Sequence, residues 1–476
     1  MSARLVVIGG GLAGIAASVR LAEAGRQPLL IETRKKLGGR ATSFIDPRNG
    51  EVLDNCQHVV MGCCTNLLDL FQRIDVLEKI GWHDTLHWSR GNGEIDRVKP
   101  GMLPPPLHLA SSLARLRFLD GPDRKAIRRA MWRLVRGGSR LRVEWAGRTF
   151  AAFLHALRQT EHSVARFWDP IITSACNMRV DRCEASYAIQ VFQEGFLGNR
   201  FASAMGLPDV PLSQLYDPAI DMIEALGGDV VDGISAKGLA FDGRRVTGVV
   251  TPDGMIECSA VVSAIPPDRL DKIVSDTMRR ADARLQKLDQ FQWSPILGIH
   301  LWFDQEIMDL PHMVCVDPPE GVQWLFNKGA DGRGRQHVHA VISAADEWMD
   351  LSEEEIAAKA LVDVHRMLPR SRGLAPVEVR TVKEKHATFA AMPGVDSIRP
   401  RAFATGMGLG GGGIANLFLA GDWCDTGWPA TMEGAVRSGY SAAAAVAEDA
   451  GLGPLGSLPN GWLARLLGLK DVDVVG

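Results

Sequence analysis

Tyrosine is scarce in this chain: three residues of 476, against twelve Trp and sixteen Phe. The aromatic surface is therefore biased toward apolar rings. No run of eighteen apolar residues occurs, so no transmembrane helix is expected, and the Ala-rich stretch Ser438 to Ala447 is too short to span a bilayer. Charge of one sign is lacking too. Lys plus Arg is 53 and Asp plus Glu is 56, a net charge of −3 that gives no support to a nucleic-acid partner. The eight Cys (56, 63, 64, 176, 183, 258, 315 and 424) have neither zinc-ligand nor disulfide-framework spacing. No metal site is expected, and adjacent Cys63 and Cys64 read as two buried thiols in a reducing, cytoplasmic compartment. No internal repeat is visible. Hydrophobic residues at 46% and charged residues at 23% exclude a disordered or fibrous chain. At ~100–200 residues per domain, the length suggests two to four lobes.

Glycine is abundant instead. Fifty residues exceed a tenth of the chain, against a usual ~7%, and they sit in short, separate clusters. Arg4 followed by Leu5 to Ser18 resembles a short signal peptide, but the Gly9-Gly10-Gly11 run points elsewhere. Leu5-Val6-Val7-Ile8 reads as a buried parallel strand running into Gly9-Gly10-Gly11-Leu12-Ala13-Gly14, the spacing G-x-G-x-x-G. A helix ending at Gly25 and a second strand, Pro28 to Ile31, then deliver Glu32, eighteen residues past Gly14. Gly9 permits the tight turn, Gly11 lets a pyrophosphate approach backbone N–H groups, and Gly14 lets the helix pack on the strand. Phosphates then meet the positive end of the helix. Glu32 accepts hydrogen bonds from the ribose hydroxyls and disfavours a 2′-phosphate, which leaves FAD or NAD.

Lys36-Leu37-Gly38-Gly39-Arg40 follows the acid directly, and a Gly pair with a trailing Arg brings a cation to the pyrophosphate. Glu-x(5)-Gly-Gly-Arg resembles the flavoprotein superfamily of amine oxidases, protoporphyrinogen oxidases and carotenoid desaturases. That resemblance implies FAD. It also implies roles for distant segments. Asp422, after the apolar run Leu417 to Ala420, is expected at the ribityl and phosphate region, and Met432 or Glu433 is expected to present an amide to the flavin ring. Thr431 reads as the N-cap of the following helix, and small residues at 434, 435, 438 and 439 are expected to keep that helix thin beside a planar ring. Gly227-Gly228 with the runs Val246 to Thr251 and Ala260 to Pro266 resembles the strands beside adenine, with Ala236 where relatives usually carry Val.

The fold expected is α/β: a discontinuous Rossmann-like FAD-binding domain (1–85, 213–270 and 405–450) with an inserted α+β substrate domain (86–212 and 271–404), then a C-terminal tail (451–476). The first insert reads helical; the second carries strand-like stretches at Ile296 to Phe303 and Val338 to Ile342.

Two stretches narrow the resemblance, Asp54 to Asn66 and Ala420 to Gly439; both look like the hydroxysqualene dehydroxylases of bacterial hopanoid and squalene biosynthesis. Pro106 to Leu109, Phe167 to Pro170 with Asn177, and Lys385 to Phe389 with Pro393 support the match; Cys424 and His386 depart from it. The family implies reductive loss of an allylic hydroxyl from hydroxysqualene, with an external reductant. Such chemistry needs an acid, a dry tunnel and reduced flavin. His58 and Asp425 are the candidate acids. Trp82, Trp88, Trp168, Trp293, Trp302, Trp324 and Trp428 are the candidate tunnel aromatics.

Between Arg115 and Arg148, eleven Lys/Arg face three acids, a local charge of +8. With Trp132 and Leu134 interleaved, this segment suits the anionic inner face of the cell membrane; Trp462 to Leu467 is a second candidate. Two rival readings stand beside the dehydroxylase: a carotenoid-type (phytoene) desaturase, and a non-enzymatic lipid-binding protein like the GDP-dissociation inhibitors. The intact Gly9, Gly11, Gly14, Glu32, Arg40 and Asp422 argue against the second.

Overall fold

A computed structural model describes residues 4–404 and 413–470. The apolar runs near the N-terminus become the centre of a parallel sheet. Strands Asp229–Val231, Pro28–Ile31, Arg4–Ile8, Gly254–Ser263 and Leu417–Leu419 lie side by side in that order, all parallel. Val6, Val7, Leu30, Val261 and Val262 are buried, as both faces of a parallel sheet require. The first half of Gly254–Ser263 extends beyond this layer and pairs antiparallel with Val246–Thr251, which pairs with Gly238–Phe241. Helices Leu12–Glu23 and Met432–Ala447 pack on each other against the sheet. A Cβ at Gly439 would lie 2.3 Å from the Ala13 carbonyl oxygen. Gly439 thus serves this close helix crossing, while Ala435 of the same helix lines a cavity.

A second, larger sheet runs Glu378–Phe389, Trp293–Phe303, Gln336–Ser343, Trp324–Ala330, His312–Cys315, Leu86–Ser89, Ile95–Val98. All its pairings are antiparallel except His312–Cys315 with Leu86–Ser89, where Val314 faces Trp88. The segment from 86 onward, expected to be helical, therefore begins with two strands. A helical layer from Gly121 to Leu197 covers this sheet. Its longest helix, Gly121–Gly137, starts at a reciprocal capping box between Asp120 and Asp123 with proline in the first turn. Two segments, Val164–Trp168 and Gln193–Leu197, widen to i→i+5 turns on either side of helices Asp169–Cys176 and Ala185–Phe192. No helix among the described residues is long and apolar enough to cross a membrane. All eight cysteines are buried and free. Of the expected segments, 405–412 and 471–476 lie outside the described residues.

Candidate functional site

Where the parallel strands end, two glycine turns meet. Gly9 turns at φ +103°, and a Cβ at Gly14 would sit 1.8 Å from the Gly9 carbonyl oxygen, so the helix starts directly on the strand end. The Gly38 amide donates to the Gly10 carbonyl at 2.8 Å, and a Cβ at Gly39 would approach the Gly11 Cα to 3.0 Å. Side chains on either turn would push them apart. Gly9, Gly11, Leu12, Ala13, Gly38, Gly39 and Arg40 all line one cavity of about 970 Å³, at the upper end of the ~300–1,000 Å³ usual for ligand sites.

Glu32 leaves the end of strand Pro28–Ile31 and its carboxylate accepts from the Gly10 amide at 2.7 Å and the Arg34 amide at 2.8 Å. Each oxygen keeps a lone pair for an incoming hydroxyl. The Glu32 carbonyl accepts from the Ile234 amide at 2.9 Å, which brings Ser235, Ala236 and Lys237 to the same lip. On the other side Arg40 forms an ion pair with Asp422 and donates to the Ala387 carbonyl at 2.9 Å. Asp422 follows Gly421 (φ +145°), whose amide donates to the Ser438 hydroxyl at 2.7 Å. Thr431 caps the helix of Met432–Ala447 by accepting from the Gly434 amide at 3.0 Å, and Met432 lines the cavity. Glu433 lines the cavity too, but its fully buried side chain accepts from the Asn66 and Leu67 amides and from Arg437, capping the helix Thr65–Arg73.

Beyond this cradle the cavity continues as an apolar arm between the large sheet and the helical layer. Ile171, Val191, Phe196, Val314, Trp324 and Phe326 are among its walls. Trp88 and Trp428 also line the cavity, whereas Trp168 and Trp302 are fully buried core, Trp82 packs on Phe201, and Trp293 stacks on His386. Polar groups in the arm are few. Asn177 is consumed by bonds to Ser294, Thr388 and Ala344, and Ser174 by Pro170 and Trp324. Gln190, from helix Ala185–Phe192, is buried and lines the arm, and among the described residues its side-chain amide has no hydrogen-bond partner.

His58 lines the cavity beside Asn55, Cys56 and Gln57. Its Nδ1 lies 3.1 Å from the Cys56 carbonyl, which only accepts, so Nδ1 carries the hydrogen and Nε2 the lone pair. Burial pulls its pKa below the ordinary histidine value, against smaller opposing effects of the Cys56 carbonyl and Asp54. His58 is thus a neutral acceptor at pH 7. Asp425, expected on the facing wall, is exposed and does not line the cavity; its loop turns outward, with the Asp425 amide donating to the Pro400 carbonyl at 2.8 Å. Burial pushes the Cys56 thiol up to about 12, so it is inert. No group of three or more His, Cys, Asp or Glu among the described residues is placed to hold a metal.

A family model described as flavin containing amine oxidoreductase matches residues 12–447. The chain belongs to the flavin-containing amine oxidoreductase family. The cofactor of this family member is FAD, and the glycine turns, Glu32, Arg40 and Asp422 are the residues that fit it. The chain is 26% identical over 468 residues to a 15-cis-phytoene desaturase of Synechococcus elongatus, covering 93% of this chain and 95% of that one. It is 27% identical over 475 residues to a hydroxysqualene dehydroxylase of Rhodopseudomonas palustris, covering 93% and 98%. Among solved structures, an oxidoreductase from Methanosarcina mazei superposes with a TM-score of 0.71 at 17% identity, over 94% and 100% of the two chains. A putrescine oxidase superposes at 0.64 with 18% identity, over 93% and 98%. These likenesses confirm the α/β fold of the amine oxidase and phytoene desaturase type.

Sequence reasoning missed two residues of the site and one pairing. Nothing local marks Gln190. Arg399 is buried and donates to the Asp422 carbonyl at 3.0 Å and to the Cys424 carbonyl, pinning the loop that presents Asp422. The Arg40–Asp422 pair joins residues 382 apart in the chain.

Proposed function

We propose that this chain removes the allylic hydroxyl of hydroxysqualene reductively, giving squalene, with electrons from an external reductant. The two relatives named above differ in reaction and hardly in identity, so the chemistry of the arm carries the choice. Within a mostly apolar lining that also holds Ser343 and Glu384, the Gln190 amide and the His58 Nε2 have no hydrogen-bond partner among the described residues. A pure hydrocarbon would leave both dry, at about 1–3 kcal/mol each. The hydroxyl of a long isoprenoid supplies such a polar partner.

Reduced FAD supplies the hydride when bound. The protein's own part follows from the residues described. Glu32 and the glycine turns would hold the nucleotide end, and Arg40, held by Asp422, would offer a cation to the phosphates. The substrate hydroxyl donates to His58 Nε2 and accepts from Gln190. Departure of the oxygen as water requires a proton, and only the imidazolium form of His58 carries one at Nε2. The faces of Trp324 and Phe326, stacked 5.5 Å apart, stabilise positive charge as the carbon–oxygen bond breaks.

The test is turnover of the purified flavoprotein. Anaerobically reduced enzyme given hydroxysqualene should yield squalene. Conversion of phytoene to a more conjugated polyene by oxidised enzyme, with no squalene from hydroxysqualene, would assign the chain to the desaturase reaction instead.

A further inference from the structure

Several large apolar side chains stand in solvent on segments far apart in sequence. Met102 is fully exposed, Leu466 is 74% exposed, Trp462 63% and Leu103 51%; Phe201 is exposed as well. Hydrogen bonds and close packing gather these segments onto one face. Arg200 donates to the Gly101 carbonyl. The Asn199 side-chain Nδ2 donates to the Pro459 carbonyl at 2.8 Å, and the Gly461 backbone amide to the Gly198 carbonyl at 2.7 Å. A Cβ at Gly461 would lie 3.2 Å from Pro105. The loop 101–107, the turn 198–201 and helix Trp462–Leu467 therefore present their apolar side chains together.

Two features say what covers this face. The first is charge. Gly468, just after the C-terminal helix, abuts the last turn of helix Gly121–Gly137, where a Cβ at Gly138 would sit 2.7 Å from the Gly468 carbonyl oxygen. That longer helix carries exposed Lys125, Arg128, Trp132 and Arg136 at helical spacing, and Arg140 follows; none of these cations has an acidic partner among the described residues. An apolar patch bordered by unpaired cations, with tryptophan among both, complements an anionic bilayer surface. The second is position. Met61 and Cys63 line the cavity, and Gly62 between them is pressed on the Phe201 carbonyl, with room for no side chain. Gly195 and Phe196 line the cavity two residues before Gly198. The patch lies one layer of chain outside the apolar arm.

We infer that this composite face docks on an anionic phospholipid bilayer, with Met102, Leu103, Trp462 and Leu466 entering the interface and the helix cations meeting the headgroups. The basic segment and the C-terminal helix, alternatives in the sequence, become parts of one surface. That the face also admits substrate rests on the proposed isoprenoid reaction; the docking itself does not.

The experiment uses flavin-loaded full-length protein and sedimentation with equimolar phosphatidylglycerol and phosphatidylcholine vesicles, and with phosphatidylcholine alone. No substrate is present, so docking and reaction can fail separately. Met102→Asp with Leu103→Asp, and Trp462→Asp with Leu466→Asp, should each reduce partitioning at least about tenfold. Arg136→Glu with Arg140→Glu should reduce binding to the anionic vesicles by a similar factor. Flavin absorbance reports retained folding, and Met102→Asp alone serves if a double variant misfolds, because this side chain touches solvent only. Unchanged partitioning of both apolar double variants would overturn the proposal. So would a concentration-dependent dimer in the parent protein that these variants abolish without altering vesicle binding, which would make the face a contact between two copies.

Discussion

At the scale of single residues, the cofactor end and the substrate end differ in how they were found. Glu32 and Arg40 stand in a local motif, and their positions follow from strand, turn and helix in order. Their bonds do not: Glu32 already accepts two backbone amides, and Arg40 is held by Asp422. Replacing Glu32 or Arg40 by Ala removes a charge-assisted hydrogen bond of about 1.5–3 kcal/mol. FAD affinity should fall by roughly tenfold to a hundredfold. Full FAD occupancy after extensive dialysis would refute the assignment. Gln190→Leu should lower kcat/KM for the hydroxylated substrate by about fivefold, the worth of one neutral hydrogen bond of about 1 kcal/mol. The same change should leave squalene binding equal or tighter, which titration of both ligands against each variant would read. Gln190 was invisible in the sequence because a glutamine on a helix is ordinarily a solvated residue. Only the packing of its helix among the neighbouring helices of the helical layer turns it inward.

His58 makes a prediction about pH. Its burial lowers the pKa, so above that value the imidazolium fraction falls about tenfold per pH unit. If His58 donates the proton, dehydroxylation should accelerate as pH is lowered from 8 to 6, and His58→Gln should flatten the profile while keeping FAD. A profile of the same shape in His58→Gln would remove it from proton delivery. Asp425, the other acid suggested by sequence proximity to Asp422, shows why adjacency misleads: a loop can send consecutive carboxylates in opposite directions.

At the scale of elements, helices and strands with local signatures were legible and their partners were not. The run Leu5 to Ile8, the glycine turn and the helix after it follow from apolar pattern and turn chemistry. Leu86–Ser89 joins the large sheet by pairing parallel with a strand more than two hundred residues later, which no local pattern announces. Of the small residues of Met432–Ala447, Gly439 makes the close contact with Leu12–Glu23, while Ala435 lines the cavity. Gly439→Val would drive side-chain atoms onto the Ala13 carbonyl, 2.3 Å from the built Cβ. Overpacking of this kind costs about 1–3 kcal/mol. A lower melting temperature is expected, together with weaker FAD retention, because the displaced helix begins at the phosphate turn. Thermal melts followed by flavin fluorescence would check both.

At the scale of the whole molecule, the large sheet hides a set of neutral histidines. His300 hydrogen-bonds His337 at 2.9 Å and the Asp54 carbonyl at 3.1 Å, and stacks 4.0 Å from His339. Burial lowers all three pKa values, that of His300 to about 4. His312 falls to about 3 for the same reason. In the unfolded chain these groups bind protons near pH 6.5, which the folded state resists, so the unfolded state holds more protons between these values. Stability should be level above about pH 6.5 and decline steadily from there toward about pH 4. Denaturant midpoints that do not change between pH 7 and 5 would contradict this.

The account as a whole rests on a cavity that joins a dinucleotide cradle to a mostly apolar arm in which the Gln190 amide and the His58 Nε2 have no hydrogen-bond partner among the described residues. The most direct test follows the hydrogen. Enzyme reduced in deuterium oxide, where the transferable flavin hydrogen is deuterium, and given hydroxysqualene without oxygen should release squalene carrying one deuterium, at the carbon that lost its oxygen. Unlabelled product, or no squalene at all while oxidised enzyme bleaches on addition of phytoene and yields a more conjugated polyene, would contradict the account.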